Sequence, residues 1–328
     1  MRLSQALILF FSNTKQMSSK SFPHIRKFDV TMSDGLQSIP KIYTLDEKKV
    51  ILNKIMNVYK PHSLEIGSII SPKLVPQMKQ SHELYNYANN VYNNTKKHTQ
   101  TQTQNKIIKE NICDFYLSVP ATKHYLDIAK KLNIRNISLN TSVSEEFHNQ
   151  SNTTTTINTN THKLSINETK NIIRDSLKIP NTFDKVKLYV SCITNCPIKG
   201  KKDNEHIINE LYEYLHIDGI SEVCLTNTCG NMRYSDFKHI IDYLNIEMNY
   251  KLDKLSLHLH INENENKYYT IDNIIEYAIN NNINKFDLTS FENIYFGNGI
   301  IKVDVKTFNT NLTYDRLYEG IYNNFIYV

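Results

Sequence analysis

The chain has 328 residues, 40% of them hydrophobic, a length that fits either one barrel with extensions or two small domains around a large core. A formal net charge of +5 is slight for this size, and the lysines are scattered rather than gathered into a stripe, which argues against a nucleic-acid partner. Trp is absent and Gly scarce while Asn, Lys, Ile and Tyr abound, a bias that reads as an AT-rich coding sequence rather than a physical demand.

Taken in chain order, the first 25 residues carry the apolar run ALILFF, which is shorter than a signal-peptide core and far shorter than a membrane span. The leader MRLSQALILFFSNTKQMSSK lacks acidic residues and is rich in Ser, Lys and Arg. It reads either as a disordered leader, with Met17 as a second start, or as a mitochondrial transit segment. The expected location is therefore the cytoplasm, or the mitochondrion in the second case, with no membrane partner. Five cysteines, Cys113, Cys192, Cys196, Cys224 and Cys229, are an odd number without a convincing secretion signal and read as reduced thiols. Cys192 and Cys196 are too isolated for a zinc clip and are expected to be small buried residues.

From residue 26 to the end a rhythm sets in. Short apolar stretches recur as KFDVTMSD, SLEIGSII, ICDFYLSV, RNISLNTS, KVKLYVSCI, SEVCLTNT, KLSLHLHI and KFDLTSF. Most are separated by segments of helical spacing, among them LDEKKVILNKIMNVY, INETKNIIRDSL and DNEHIINELYEYL. About eight strands alternating with helices predict an α/β fold, a (β/α)8 TIM barrel spanning 26–328. A doubly wound open sheet is the competitor, but no glycine-rich phosphate loop follows the first strand. Two polar runs, NNTKKHTQTQTQN and HNQSNTTTTINTNTH, cannot bury a face and are read as low-complexity loop insertions.

In KLSLHLHI the period of two puts His258 and His260 on one face, a metal-ligand pair or merely two polar residues at a strand end. Company decides between these. In a barrel the site forms at the C-terminal strand ends, where Asp34 is expected to end strand one, Glu65 lies in strand two and Asn227 ends strand six. FGNG, just past strand eight, supplies Asn298. A carboxylate, two imidazoles and an amide oxygen make a mixed O/N site for Mg²⁺ or Mn²⁺, with Zn²⁺ as the alternative.

VTMSDGLQ, SLEIGSIISPKLVPQM, YVSCITNCP, CLTNTCG, LHLHI and FGNG follow one another as the motifs of hydroxymethylglutaryl-CoA lyase do, over about residues 26 to 320. SPKLVPQM is the most specific of them; LHLHI alone would be weak. The chain thus resembles that family of metal-dependent TIM-barrel lyases and acyltransferases. The resemblance implies a divalent cation held by Asp34, His258, His260 and Asn298. It implies retro-Claisen cleavage of a hydroxyacyl-CoA to acetyl-CoA and a keto acid, with Glu65 matching a family active-site carboxylate. Lys73, in SPKLVPQM, is either a contact for a CoA phosphate or a solvated lysine. The implied partners are a small acyl-CoA or keto acid and a second copy of the chain.

Three departures stand against the family pattern. Ser33 replaces the arginine of its Arg-Asp-Gly-Leu-Gln motif, and Asn227 replaces the acid of its Gly-Asp-Thr motif. SFENIYF stands where the family carries a glycine-rich loop with a catalytic cysteine. Lost proton-transfer and oxyanion groups typically cost ~10²–10⁴ and ~10²–10³ in rate. The expectation is therefore a lyase with its usual activity impaired, or an inactive homologue serving as a metal- or acyl-CoA-binding scaffold.

Overall fold

The computed structural model describes residues 23–37, 39–94, 113–153, 164–262, 268–290 and 309–325. Eight parallel strands close into a barrel: β1 (Arg26–Asp29), β2 (Ser63–Ser68), β3 (Asp114–Ser118), β4 (Asn136–Ser142), β5 (Lys185–Ser191), β6 (Glu222–Asn227), β7 (Leu255–Asn262) and β8 (Lys285–Leu288). β8 pairs with β1 through Arg26↔Lys285 to Asp29↔Leu288, and Phe286↔Leu257 completes the ring. The predicted TIM barrel is thereby observed. A ninth strand, β9 (Asn309–Asn311), runs antiparallel along the end of β7 with Asn311 opposite His260.

The helices are α1 (Leu45–Val58), α2 (Ser81–Ala88), α3 (Lys123–Lys131), α4 (Glu145–Thr153), α5 (Ile166–Leu177), α6 (Asn204–Leu215), α7 (Tyr234–Asp242), α8 (Tyr268–Asn280) and α9 (Tyr314–Phe325). Their starts are written in local chemistry. Thr44 and Glu47 form a reciprocal capping box at α1, and Ser165 and Glu168 do the same at α5. The polar run after β4 is partly a correction to the expected loop. α4 extends to Thr153, opened by acidic Glu145 and Glu146 that suit a helix N-terminus. Residues 154–162 of that run, 95–105 of the earlier one and most of the leader lie outside the described residues.

Strand alternation explains the two layers of the core. Leu64, Ile66, Val186, Leu188, Val223, Leu225, Leu257 and Leu259 are essentially inaccessible and belong to the main apolar cluster. The intervening positions, including Glu65, Ser138, Lys187, Tyr189, Cys224, Thr226, Ser256, His258 and Asp287, are also buried. They hold polar chemistry inside the barrel, where bulky aliphatic layers are the common arrangement. Buried Lys187 pairs with buried Asp287 across the barrel, lies 3.0 Å from Glu222, and sits 3.5 Å from the centre of the Phe28 ring. Burial alone would strip charge from both partners. Their mutual attraction more than offsets it, raising the lysine pKa and lowering the carboxyl's.

Candidate active site and metal centre

β1 stops earlier than the sequence suggests. The Asp29 carboxylate accepts the Thr31 N–H at 2.9 Å, and the chain turns into a single π-turn, Thr31–Gly35, closed by Gly35 N–H donating to Val30 O at 3.0 Å. Asp34 therefore does not end the strand as expected; it rides on this wide turn, a feature often found at functional sites. The result still delivers it to the barrel mouth. Its Oδ2 lies 3.7 Å from His258 Nε2 and accepts from Asn311 Nδ2 at 2.5 Å.

His258 and His260 project from β7 into the same cavity, with their Nε2 atoms 3.0 Å apart. The other nitrogen of each ring has an acceptor. His258 Nδ1 faces Asp287 Oδ2 at 3.1 Å, and His260 Nδ1 faces the Thr228 carbonyl at 3.2 Å. Both rings are thus fixed with Nδ1 as donor, which leaves two Nε2 lone pairs confronting each other beside a carboxylate. Only a shared proton or a cation satisfies that arrangement. One ligand atom from each of Asp34, His258 and His260 lies within 4.8 Å of the others. Two imidazole nitrogens, each oriented by an acceptor, and a carboxylate fit a divalent cation. Burial, and then the neighbouring His258, push His260 down to about 4, so at neutral pH its ring is uncharged, the form in which it binds a metal.

Asn311 is the residue that sequence reasoning missed. It is buried opposite His260, its Nδ2 is on Asp34, and its amide also lies within reach of the His260 ring. Nothing in NTNLTYD signals this; β9 turns the chain back antiparallel to bring it there. Asn298, the expected amide ligand, lies outside the described residues.

The cavity of about 260 Å³ is walled by Ser33, Asp34, Glu65, Tyr189, Thr226 and the two histidines, among others. Glu65 is buried, accepts a short hydrogen bond from Ser138 and lies within reach of the Ser33 hydroxyl. Burial lifts its carboxyl to about 7 against the pull of those hydroxyls, the range in which one group can both take and return a proton near neutrality. Ser33 lines the cavity and also donates to Val30 O at 3.2 Å. Asn227 does neither. Its Nδ2 donates to His260 O at 3.3 Å and its Oδ1 accepts from Met232 N at 3.2 Å, so its amide pins the loop after β6. Lys73 is exposed and is not part of the cavity wall. Cys192 and Cys196 are buried, and Cys196 Sγ accepts from Ser144 Oγ at 3.1 Å.

No family model matches the chain, and no curated protein matches its sequence. Solved structures do match. A hydroxymethylglutaryl-CoA lyase from Pseudomonas aeruginosa is 20% identical over 90% of this chain and 85% of its own, with a TM-score of 0.65. The lyase from Brucella melitensis is 18% identical, covers 92% of this chain and 91% of its own, and gives 0.66. A lyase from Acinetobacter baumannii, solved with coenzyme A and 3-methylmalate, is 18% identical over 92% and 84% at 0.64. At these identities the likeness shows a shared fold, and the resemblance carried by SPKLVPQM and LHLHI agrees with it. No helix among the described residues is long and apolar enough to cross a membrane.

Proposed function

We propose that the chain is a divalent-metal-dependent carbon–carbon lyase of the retro-Claisen or retro-aldol type, with Glu65 as its acid–base group. The observation that carries this is the pair of opposed Nε2 atoms beside Asp34, in the same cavity as a carboxyl lifted to about 7. Asp34, His258 and His260 would hold the cation, and Asn311 Oδ1 would join them after rotation of its amide. When bound, the cation supplies charge that lowers the pKa of a substrate hydroxyl and fixes its geometry.

The chain's own residues do the rest. Glu65 as carboxylate takes the proton of the substrate hydroxyl; the adjoining carbon–carbon bond breaks, the hydroxyl carbon becomes a carbonyl, and the electron pair leaves with the departing carbon. Glu65 as carboxylic acid then returns the proton to that carbon. Asp287 and the Thr228 carbonyl keep the histidines in register throughout. The substrate is a hydroxyacyl-CoA or a related hydroxy keto acid, a reading supported by the coenzyme A and 3-methylmalate bound to the Acinetobacter lyase. Its place of action is the cytoplasm, or the mitochondrion if the leader is a transit segment.

One observation favours a second reading, a metal-binding scaffold without the family's turnover: the Asn227 amide is committed to backbone bonds on both sides. The deciding experiment is metal analysis of the purified protein, followed by a screen for cleavage of hydroxyacyl-CoA and hydroxy keto acids. His258→Ala with His260→Ala should lower both the metal content and the melting temperature. Unchanged metal stoichiometry in the double variant would remove the metal reading. A metal-replete wild type inert to every substrate would leave the scaffold.

A further inference from the structure

Glu65 and Ser138 meet inside the barrel. Their strands, β2 and β4, are alternate members of the ring, and inward residues of alternate strands share one layer in this fold. Both side chains are buried, and the Ser138 hydroxyl donates a short hydrogen bond to Glu65 Oε2. Among the described residues Glu65 is the only hydrogen-bond partner of that hydroxyl. A hydroxyl has one proton to donate, and a buried one with a single partner donates it there. Ser138 therefore donates to Oε2 whether Glu65 is a carboxylate or a carboxylic acid.

The two oxygens of Glu65 are thus unlike. Oε1 has no such donor, and it is not one of the sealed, unpartnered oxygens of the interior, as Tyr189 Oη and Ser256 Oγ are. It keeps an opening onto the cavity that Glu65 lines. Ser33, the other hydroxyl within reach, donates its proton to Val30 O at 3.2 Å, which leaves its oxygen able to accept a hydrogen bond from the acid. A proton arriving at Glu65 has one vacant place, on Oε1.

We propose that Ser138 is a positioning residue for the acid–base step: by keeping Oε2 a permanent acceptor, it makes Oε1 the oxygen that takes the proton of the substrate hydroxyl and returns it to the departing carbon. The proposal rests on Glu65 being the acid–base group of the reading above, and adds which of its oxygens works and what holds it. An alanine at 138 would leave the two oxygens equivalent. A hydrogen bond to an ionised acceptor is roughly twice as strong as one to a neutral acceptor, so the Ser138 donor also favours the carboxylate and opposes the rise that burial imposes. The other groups facing Glu65 are Lys187, which favours the carboxylate, Asp287, which opposes it, and Tyr189, whose phenol burial keeps neutral.

The test follows the Glu65 carboxyl by ¹³C NMR in the full-length protein as purified, labelled at its glutamate carboxyls, with Glu65→Gln identifying the signal. The wild-type signal should titrate near 7. Ser138→Ala should raise that midpoint by about one pH unit, a tenfold gain in proton affinity, while Ser138→Thr keeps the hydroxyl and should stay within about 0.3 unit of wild type. An unchanged midpoint in Ser138→Ala overturns the proposal, because a hydroxyl that only packs would not move it. A lowered midpoint overturns it too, since that is the sign expected if the acid donates to Ser138 and carries its proton on Oε2. If Ser138→Ala does not fold, Ser138→Cys takes its place; a thiol is the weaker donor, so the midpoint should again rise, and a fall or no change overturns the proposal. A wild-type midpoint in the ordinary carboxyl range overturns the acid–base assignment of Glu65 itself and this proposal with it, so the two failures are told apart.

Discussion

Replacing Lys187 by methionine tests whether the charged barrel interior supports the metal centre or only occupies space. The methionine keeps the apolar stem but removes the ammonium, which sits over the Phe28 ring, leaving the Asp287 carboxylate buried without its partner. Breaking a buried pair from one side costs about 3–5 kcal/mol. In a chain this long, at about 2–4 °C per kcal/mol, the melting temperature should fall by roughly 6–20 °C. Asp287 also orients His258, and loss of such support typically lowers metal affinity ~10–100-fold. Lys187→Met with Asp287→Asn removes the stranded charge yet keeps an acceptor for His258 Nδ1. Most of the lost stability should return in this double variant, while Mn²⁺ affinity stays about tenfold down because an amide is the weaker acceptor. Thermal melts of the metal-free proteins and calorimetric Mn²⁺ titrations read the two effects separately. A single variant that costs less than about 1 kcal/mol, or a double variant no more stable than the single, would refute the reasoning.

Two further expectations concern the cavity. Cleavage of hydroxymethylglutaryl-CoA should fall far below the usual enzymatic range of about 1–10³ s⁻¹, and Ser33→Arg with Asn227→Asp should recover little of it. The aspartate keeps the acceptor for Met232 N, loses the donor to His260 O and stands off the cavity wall, so it weakens the loop staple without supplying a base; a coupled assay for acetyl-CoA checks both statements. Glu65→Gln should change how stability depends on pH. The folded protein holds the Glu65 proton up to about 7, whereas the unfolded chain releases it near the ordinary carboxyl value. Wild-type stability from this group is therefore full at low pH and is lost as pH rises through 7, by an amount on the order of 3 kcal/mol. The glutamine variant should lack this falling contribution between about pH 5 and 7, so the readout is its difference from wild type: Asp29, which burial raises to about 6, adds a slope of the same sign in both proteins, and His62, His148 and His260, which burial lowers to about 4, add slopes of the opposite sign in both. Superimposable profiles would show that Glu65 is ionised throughout.

Much of the fold was legible because the barrel is built from local patterns. Alternation in KVKLYVS and LSLHLHIN places one set of residues outward into the aliphatic layer and the other inward, and the two histidines follow from that period alone. INETKNIIRDSL matches α5 residue for residue because its apolar spacing lies in the segment and its cap, Ser165, stands immediately before it. What stayed hidden depends on distant partners. The π-turn that carries Asp34 arises where Asp29 captures the Thr31 N–H and pairing with β8 ends, so no spacing in VTMSDG reveals it. Lys187 and Asp287 each read as one more polar residue in a strand until closure of the ring faces them. Asn311 was invisible for the same reason, since its role comes from antiparallel pairing with β7. Asn227, read as a vacant base position, turned out to have a structural use that its motif did not show.

Distant parts of the chain meet at the candidate metal centre: Asp34 and Asn311, which share a hydrogen bond, are 277 residues apart, and both histidines come from the last third. Contacts of such separation carry the greatest loop-closure cost and form late in folding. A cation at this site therefore has nothing to grip in a nascent or half-built barrel. Its stabilisation should fall on the unfolding rate, with the folding rate nearly indifferent to metal. Loaded with a cation, the site would act as a kinetic clasp, added once the ring has closed and resisting its reopening.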